Sequence, residues 1–133
     1  MTSSSTIQTI EMIFPDAANH YGTLFGGNAL ALMAKAAFIA ATRHAGAPVV
    51  MARSERVDFS TPIRVGEILE LTARVTRTGR TSMTVEVTGT AAAVGQAADR
   101  PALTGRFEMV AVDAGGRPEA ILRDNQNNEG QNR

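Results

Sequence analysis

Between Asn28 and His44 the chain runs without glycine or proline and carries apolar side chains on almost every side. Leu30, Leu32, Met33, Ala36, Ala37, Ile39 and Ala40 leave no polar stripe of the width a surface helix shows, and Gly46 and Pro48 supply the stop. The segment reads as one long helix that needs covering on several sides, so the rest of the chain must provide a wrapping.

Strands provide it. Val49 to Phe59, Glu67 to Thr78, Thr81 to Ala93 and Ala102 to Val112 are rich in Val, Ile, Leu and Thr and alternate, as in Leu69, Leu71, Ala73 and Val75. Thr6 to Phe14 alternates in part and is stopped by Pro15-Asp16, and Arg77-Thr78-Gly79-Arg80 reads as a tight hairpin turn. Asp16 to Gly27 holds too many turn formers for a regular element. The order predicts an α+β architecture, one helix against a curved antiparallel sheet of about five strands. The last four strands are expected as a meander. A single domain over residues 1–113 follows, and the Gly- and Asn/Gln-rich stretch 114–133 is expected to be a disordered tail.

Thirteen Lys and Arg balance thirteen Asp and Glu, so no overall field attracts nucleic acid or an anionic membrane, and an anionic ligand must be met by local cations. The absence of cysteine excludes disulfides, thiolate metal sites and a cysteine nucleophile. The first residues lack the basic start and apolar core of a signal peptide, and no apolar run approaches the roughly 20 residues that span a bilayer. The expectation is a soluble, cytoplasmic protein.

Three segments then stand out in order: Phe14-Pro15-Asp16-Ala17-Ala18-Asn19-His20-Tyr21-Gly22-Thr23-Leu24-Phe25-Gly26-Gly27, then Asp58-Phe59-Ser60-Thr61-Pro62-Ile63-Arg64-Val65-Gly66-Glu67, then Thr78-Gly79-Arg80-Thr81-Ser82. Over roughly Ile7 to Val112 the chain resembles the hotdog-fold acyl-CoA thioesterases, in the branch of YciA-type and cytosolic long-chain (BACH-like) hydrolases. The resemblance implies that the Asn19-His20 loop and the helix start form an acyl-thioester site, that two protomers build each site, and that dimers stack into tetramers or hexamers. Coenzyme A enters as part of the substrate, and neither a metal nor a redox cofactor is implied. N–H groups around Gly26, Gly27 and Asn28 have no intrahelical partners and suit a developing oxyanion. The pattern of the family places an Asp seven positions after the Gly-Gly pair. Here that position is Ala34, and a methyl group neither accepts a proton nor attacks a carbonyl.

Each candidate has a plainer reading. Asn19 serves a turn or orients water and thioester; His20 bonds the backbone or acts as a base; Asn28 caps the helix or lines the site. Lys35 and Arg43 read as solvated or interface charges, and His44 as a structural residue near the helix end. Arg77, Arg80, Thr81 and Ser82 are either a solvated hairpin tip or the phosphate contacts of CoA. Glu55 and Asp58 are the nearest carboxylates, but neither belongs to the helix beside the oxyanion donors. The resulting expectation is an acyl-CoA thioesterase whose hydrolysis is strongly reduced at Ala34, by a deliberate Asp-to-Ala change or by nature. The alternatives are a non-catalytic acyl-CoA binding or sensing protein, or a hotdog lyase of the enoyl-CoA hydratase type.

Overall fold

The protein is described by a computed structural model over residues 5–96 and 100–121. Strand β1 (Thr6–Met12) leads through a single 3-10 turn (Pro15–Ala17) into helix α1 (Gly26–Ala45), and strands β2 (Val49–Phe59), β3 (Ile68–Thr78), β4 (Ser82–Ala92) and β5 (Arg100–Ala111) follow. The α+β prediction therefore holds. The helix opens two residues earlier than Asn28 and ends at Gly46, whose φ of 66° is the left-handed conformation that glycine adopts without cost.

All five strands join in one antiparallel sheet of order β1-β3-β4-β5-β2. The meander expectation fits β3, β4 and β5 and fails for β2, which pairs with β5 at the far edge. From Phe59 the chain crosses beneath the start of α1 to reach β3, held by Leu24 N–H donating to Ile63 O at 2.7 Å and Gly66 N–H donating to Ile13 O at 2.7 Å. Glu67 anchors the end of the crossing. Its carboxylate accepts from Arg64 N–H at 2.9 Å and from the Arg100 guanidinium at 2.7 and 3.1 Å, while Arg100 also donates to Pro62 O at 2.8 Å.

The helix lies on one face of the sheet. Ala29, Met33, Ala36, Ala37, Ala40 and Ala41 form its buried stripe, and small side chains let the helix axis approach closely. Gly105 of β5 contributes to the same approach, since a Cβ there would stand 2.8 Å from Met33 Cε. The sheet curves so that the helix touches all five strands, yet Leu30, Phe38 and Ile39 remain exposed, alongside Val50, Met51 and Phe59 of edge strand β2. Within this chain the helix is covered along that one stripe, and the cover expected on further sides is not supplied by its own sheet.

On the outer face, the register aligns Arg74, Glu86, Arg106 and Glu55 across four strands as a row of alternating charge. Such a face is stable in water.

The expected tail also needs correction up to residue 121. Val112 bridges to Pro118, Glu119 N–H donates to Ala111 O at 2.8 Å, Ile121 N–H donates to Arg80 O at 2.9 Å, and the Ile121 side chain is fully buried. One well-placed isoleucine gives this polar stretch something to bury. The remainder of that stretch, 122–133, lies outside the described residues.

Candidate active site

Asn19 braces the loop ahead of the helix. Its Oδ1 accepts from Tyr21 N–H at 2.9 Å, Thr23 N–H at 3.1 Å and the Thr23 hydroxyl at 3.2 Å, the local bonding that suits Asn to turns. His20 next to it is exposed, its ring 4.0 Å from that of Tyr21. The crossing segment backs the loop through a Thr23–Arg64 bridge and a Val65 N–H donating to Gly22 O at 3.0 Å.

The loop delivers the chain into α1 with Phe25 as the N-terminal boundary residue and no side-chain cap. Asn28 is not the cap its position suggested: its Nδ2 donates to Ala17 O at 3.0 Å and ties the first helical turn to the 3-10 turn. Gly26 and Gly27 open the helix at the surface. The Phe25 ring covers Gly27 so closely that a Cβ there would lie 2.8 Å from it. A helix start left uncapped presents N–H groups and a partial positive charge to whatever occupies the space in front of it.

Ala34 lies two turns beyond Gly27 on the same side of the helix. Both line a cavity of about 290 Å³ between α1 and the sheet, together with Leu30 and Ala31, with Met51 and Ser54 of β2, and with Phe107 of β5. Met51 and Ser54 face the helix because their register partners, Met109 and Phe107, are buried beneath it. Spacing along one helix could join Gly27 to Ala34, but only the β2–β5 pairing brings in Met51 and Ser54. A second cavity, of about 300 Å³, adjoins Gly26 and is walled by Phe59, Pro62 and Ile63. A third, of about 400 Å³, lies on the other side of the helix start, with Asn28, Leu32 and Lys35 against Met12 and Phe14.

No carboxylate of β2 faces the cavity at Ala34. Glu55 pairs with Arg106 in the register and forms ion pairs with Arg53 at 2.9 Å and Arg106 at 3.9 Å on the outer face. Asp58 is opposite Thr104 and lines a groove with Arg56, Glu86 and Arg106 on that same face. Between them Arg56 takes a φ of 51° at a register shift in the strand.

The Arg80 hairpin stands at the other end of α1. Thr78 Oγ1 and His44 Nε2 are hydrogen-bonded at 2.9 Å, and His44 Nδ1 meets Ser5 Oγ at 2.9 Å, which gives His44 the structural part its place near the helix end suggested. A helix of 20 residues is about 30 Å long, so one chain does not bring Arg80, Thr81 and Ser82 to Gly26 and Gly27. The hairpin backbone is fixed: Gly79 N–H donates to Ser82 O at 2.7 Å and Ala111 N–H to Thr81 O at 2.8 Å. Arg77 is directed to the outer face, donating to Thr84 Oγ1 at 3.1 Å and Glu108 Oε1 at 3.3 Å.

One long helix on one face of a five-stranded antiparallel sheet, opened by an uncapped Gly-Gly pair beside an apolar cavity, defines a hotdog-fold protein. Residues 21–98 match the family described as the thioesterase superfamily. The chain is 38% identical over 104 residues to an uncharacterized acyl-CoA thioester hydrolase of Zymomonas mobilis, covering 78% of this chain and 70% of that protein. It is 35% identical over 79 residues to the human cytosolic acyl coenzyme A thioester hydrolase, covering 55% of this chain and 21% of that one. Among solved structures it is similar to the acyl-CoA hydrolase of Staphylococcus aureus in complex with butyryl coenzyme A, coenzyme A and coenzyme A disulfide, with a TM-score of 0.86, 36% identity and coverage of 90% of this chain and 73% of that one. That hydrolase has also been solved as Asn-to-Ala, Asp-to-Ala and Thr-to-Ala variants, the first two altered positions being fifteen apart and the last two seventeen. An apo-hexameric acyl-CoA thioesterase superposes with a TM-score of 0.87 at 36% identity over 90% of this chain and 77% of its own. The chain belongs to the thioesterase superfamily, and its relatives there are acyl-CoA thioester hydrolases.

Proposed function

We propose that this protein binds acyl-CoA with the thioester carbonyl at the start of α1 and hydrolyses it slowly, because Ala34 withholds the carboxylate the step requires. Water adds to the thioester carbon, the carbonyl oxygen takes the negative charge, and collapse expels the CoA sulfur, which takes up a proton to leave the acid and CoA. N–H groups around Gly26, Gly27 and Asn28 supply the oxyanion with donors that need no reorganisation. The observation that carries the reading is the uncapped helix start sharing one cavity with Ala34. Without a base, the general-base contribution of roughly 10²- to 10⁴-fold is missing. Hydrolysis consumes only water, and the reading assigns no metal or redox group.

The site is completed by a second copy. The exposed apolar face of α1 (Leu30, Phe38, Ile39) is continuous with the apolar residues of edge strand β2 (Val50, Met51), a surface that favours burial. A dimer through this face also allows the partner's hairpin to meet the CoA phosphates through the side chains this chain carries at Arg80, Thr81 and Ser82. Tetramers or hexamers of such dimers are the expected assembly, in the cytoplasm. The test is release of free CoA thiol from acyl-CoA by the unaltered chain and by Ala34→Asp. A gain of about 100-fold is expected, the low side of what a general base provides; an unchanged rate with folding intact refutes the assignment of Ala34.

A further inference from the structure

Within one chain, the cavity at Ala34 is lined by no side chain that can manage a proton. Its only side-chain oxygen among the lining residues is the Ser54 hydroxyl, which needs a base to act, while Glu55 and Asp58 lie on the opposite face of the sheet. Met51 fills the position on β2 closest in register to the buried Met109 and puts a thioether where a hydroxyl or carboxylate would be required to hold a water.

The variants of the S. aureus hydrolase give this composition a meaning. Fifteen positions beyond Asn19 is Ala34, and seventeen beyond that is Met51. Counted without gaps from Asn19, the other two altered positions of the relative fall on apolar residues here, and the fold places the two in one cavity although they are far apart in sequence. One altered residue would fit a single deliberate substitution. Two in the same cavity fit a pocket whose chemistry has changed as a unit. A water is held in place by two to four polar partners, and neither alanine nor methionine supplies a strong one, so the cavity lacks the means to position the second reactant of hydrolysis along with its base.

We propose that the α1–β2 cavity of this protein is an acyl-thioester pocket that has lost the groups that position the attacking water, so that the chain holds acyl-CoA with its hydrolysis strongly slowed, and that full recovery of hydrolysis requires polar residues at both Ala34 and Met51. This rests on the acyl-CoA reading above and adds what the chain does with its ligand.

The experiment uses the full chain with butyryl-CoA, following binding by calorimetry and ester cleavage by thiol release, for the unaltered protein, Ala34→Asp, Met51→Thr and the double variant. Threonine suits a strand position, and thermal melts with light scattering establish that each protein folds and assembles; Met51→Ser in the Ala34→Asp background is the substitute if the double variant does not. The unaltered chain is expected to bind butyryl-CoA and return it uncleaved over a period in which the double variant turns it over completely. The double variant is expected to exceed Ala34→Asp at least about ten-fold, the effect of one added hydrogen bond to a charged group. Equal rates for Ala34→Asp and the double variant, or rapid cleavage by the unaltered chain, overturn the proposal. Absence of butyryl-CoA binding in every protein overturns the acyl-CoA reading itself, a result distinct from either.

Discussion

The Glu67 carboxylate is held by the Arg100 guanidinium at 2.7 and 3.1 Å, joining the end of the crossing segment to the start of β5. The Arg100 hydrogen bonds hold Glu67 below the ordinary carboxylate value of 4.5, burial works against this, and the Arg64 N–H adds to the lowering. A carboxyl with a lower pKa folded than unfolded contributes stability that is complete above the unfolded value and fades as pH falls through the folded one. Glu67→Gln is therefore expected to cost about 1–2 kcal/mol at pH 7, limited by the partial exposure of Arg100. The gap between the two proteins should close below pH 4.5. Urea melts between pH 3 and 7 measure it, and a gap independent of pH would remove the ion pair from the account.

Ile121 carries the order of the segment after β5. Ile121→Ala is expected to destabilise by about 2–5 kcal/mol, as for other buried large-to-small changes. Because its N–H donates to Arg80 O, hydrogen exchange at the hairpin should also rise. An unshifted melting curve would show that this segment does not pack on the domain.

Gly105 sits where a Cβ would meet Met33 Cε at 2.8 Å and Phe107 Cε1 at 3.1 Å. Gly105→Val is expected to cost about 1–3 kcal/mol through overpacking between helix and sheet. Thermal unfolding checks it; a neutral result would mean that α1 can lift from the sheet freely.

Phe38 is exposed on the uncovered face of α1. Phe38→Glu is expected to convert the assembly to a smaller species by light scattering and to reduce acyl-CoA binding at the same time. An unchanged mass would place the subunit contact elsewhere.

Arg80→Ala is expected to weaken CoA binding by about ten-fold or more, the loss of a charge-assisted contact to phosphate. Calorimetry with CoA alone reads this directly, and unchanged affinity would return the hairpin to its solvated reading.

Much of this protein was legible along the chain. The helix and the strands follow from periodicity and turn residues that are contiguous, and the hairpin read at Arg77 to Arg80 falls one to two residues later, between Thr78 and Ser82. The polar stretch after Ala114 misled because composition averages over many residues, whereas a single buried side chain, Ile121, decides its course up to residue 121.

What lies between distant segments was decided only in three dimensions. Strand β2 carries the same alternating pattern whether it pairs with β3 or β5, and the choice of β5 is made by which pairing leaves the crossing segment bonded to the helix loop and to Glu67. That choice sets Met51 opposite Met109 and so into the cavity of Ala34, and it leaves the Arg80 hairpin a helix length away from Gly26. Local sequence determines what each element is, because its hydrogen bonds and periodicity are internal to it. The neighbours of each element depend on long-range burial, which only the packed chain contains.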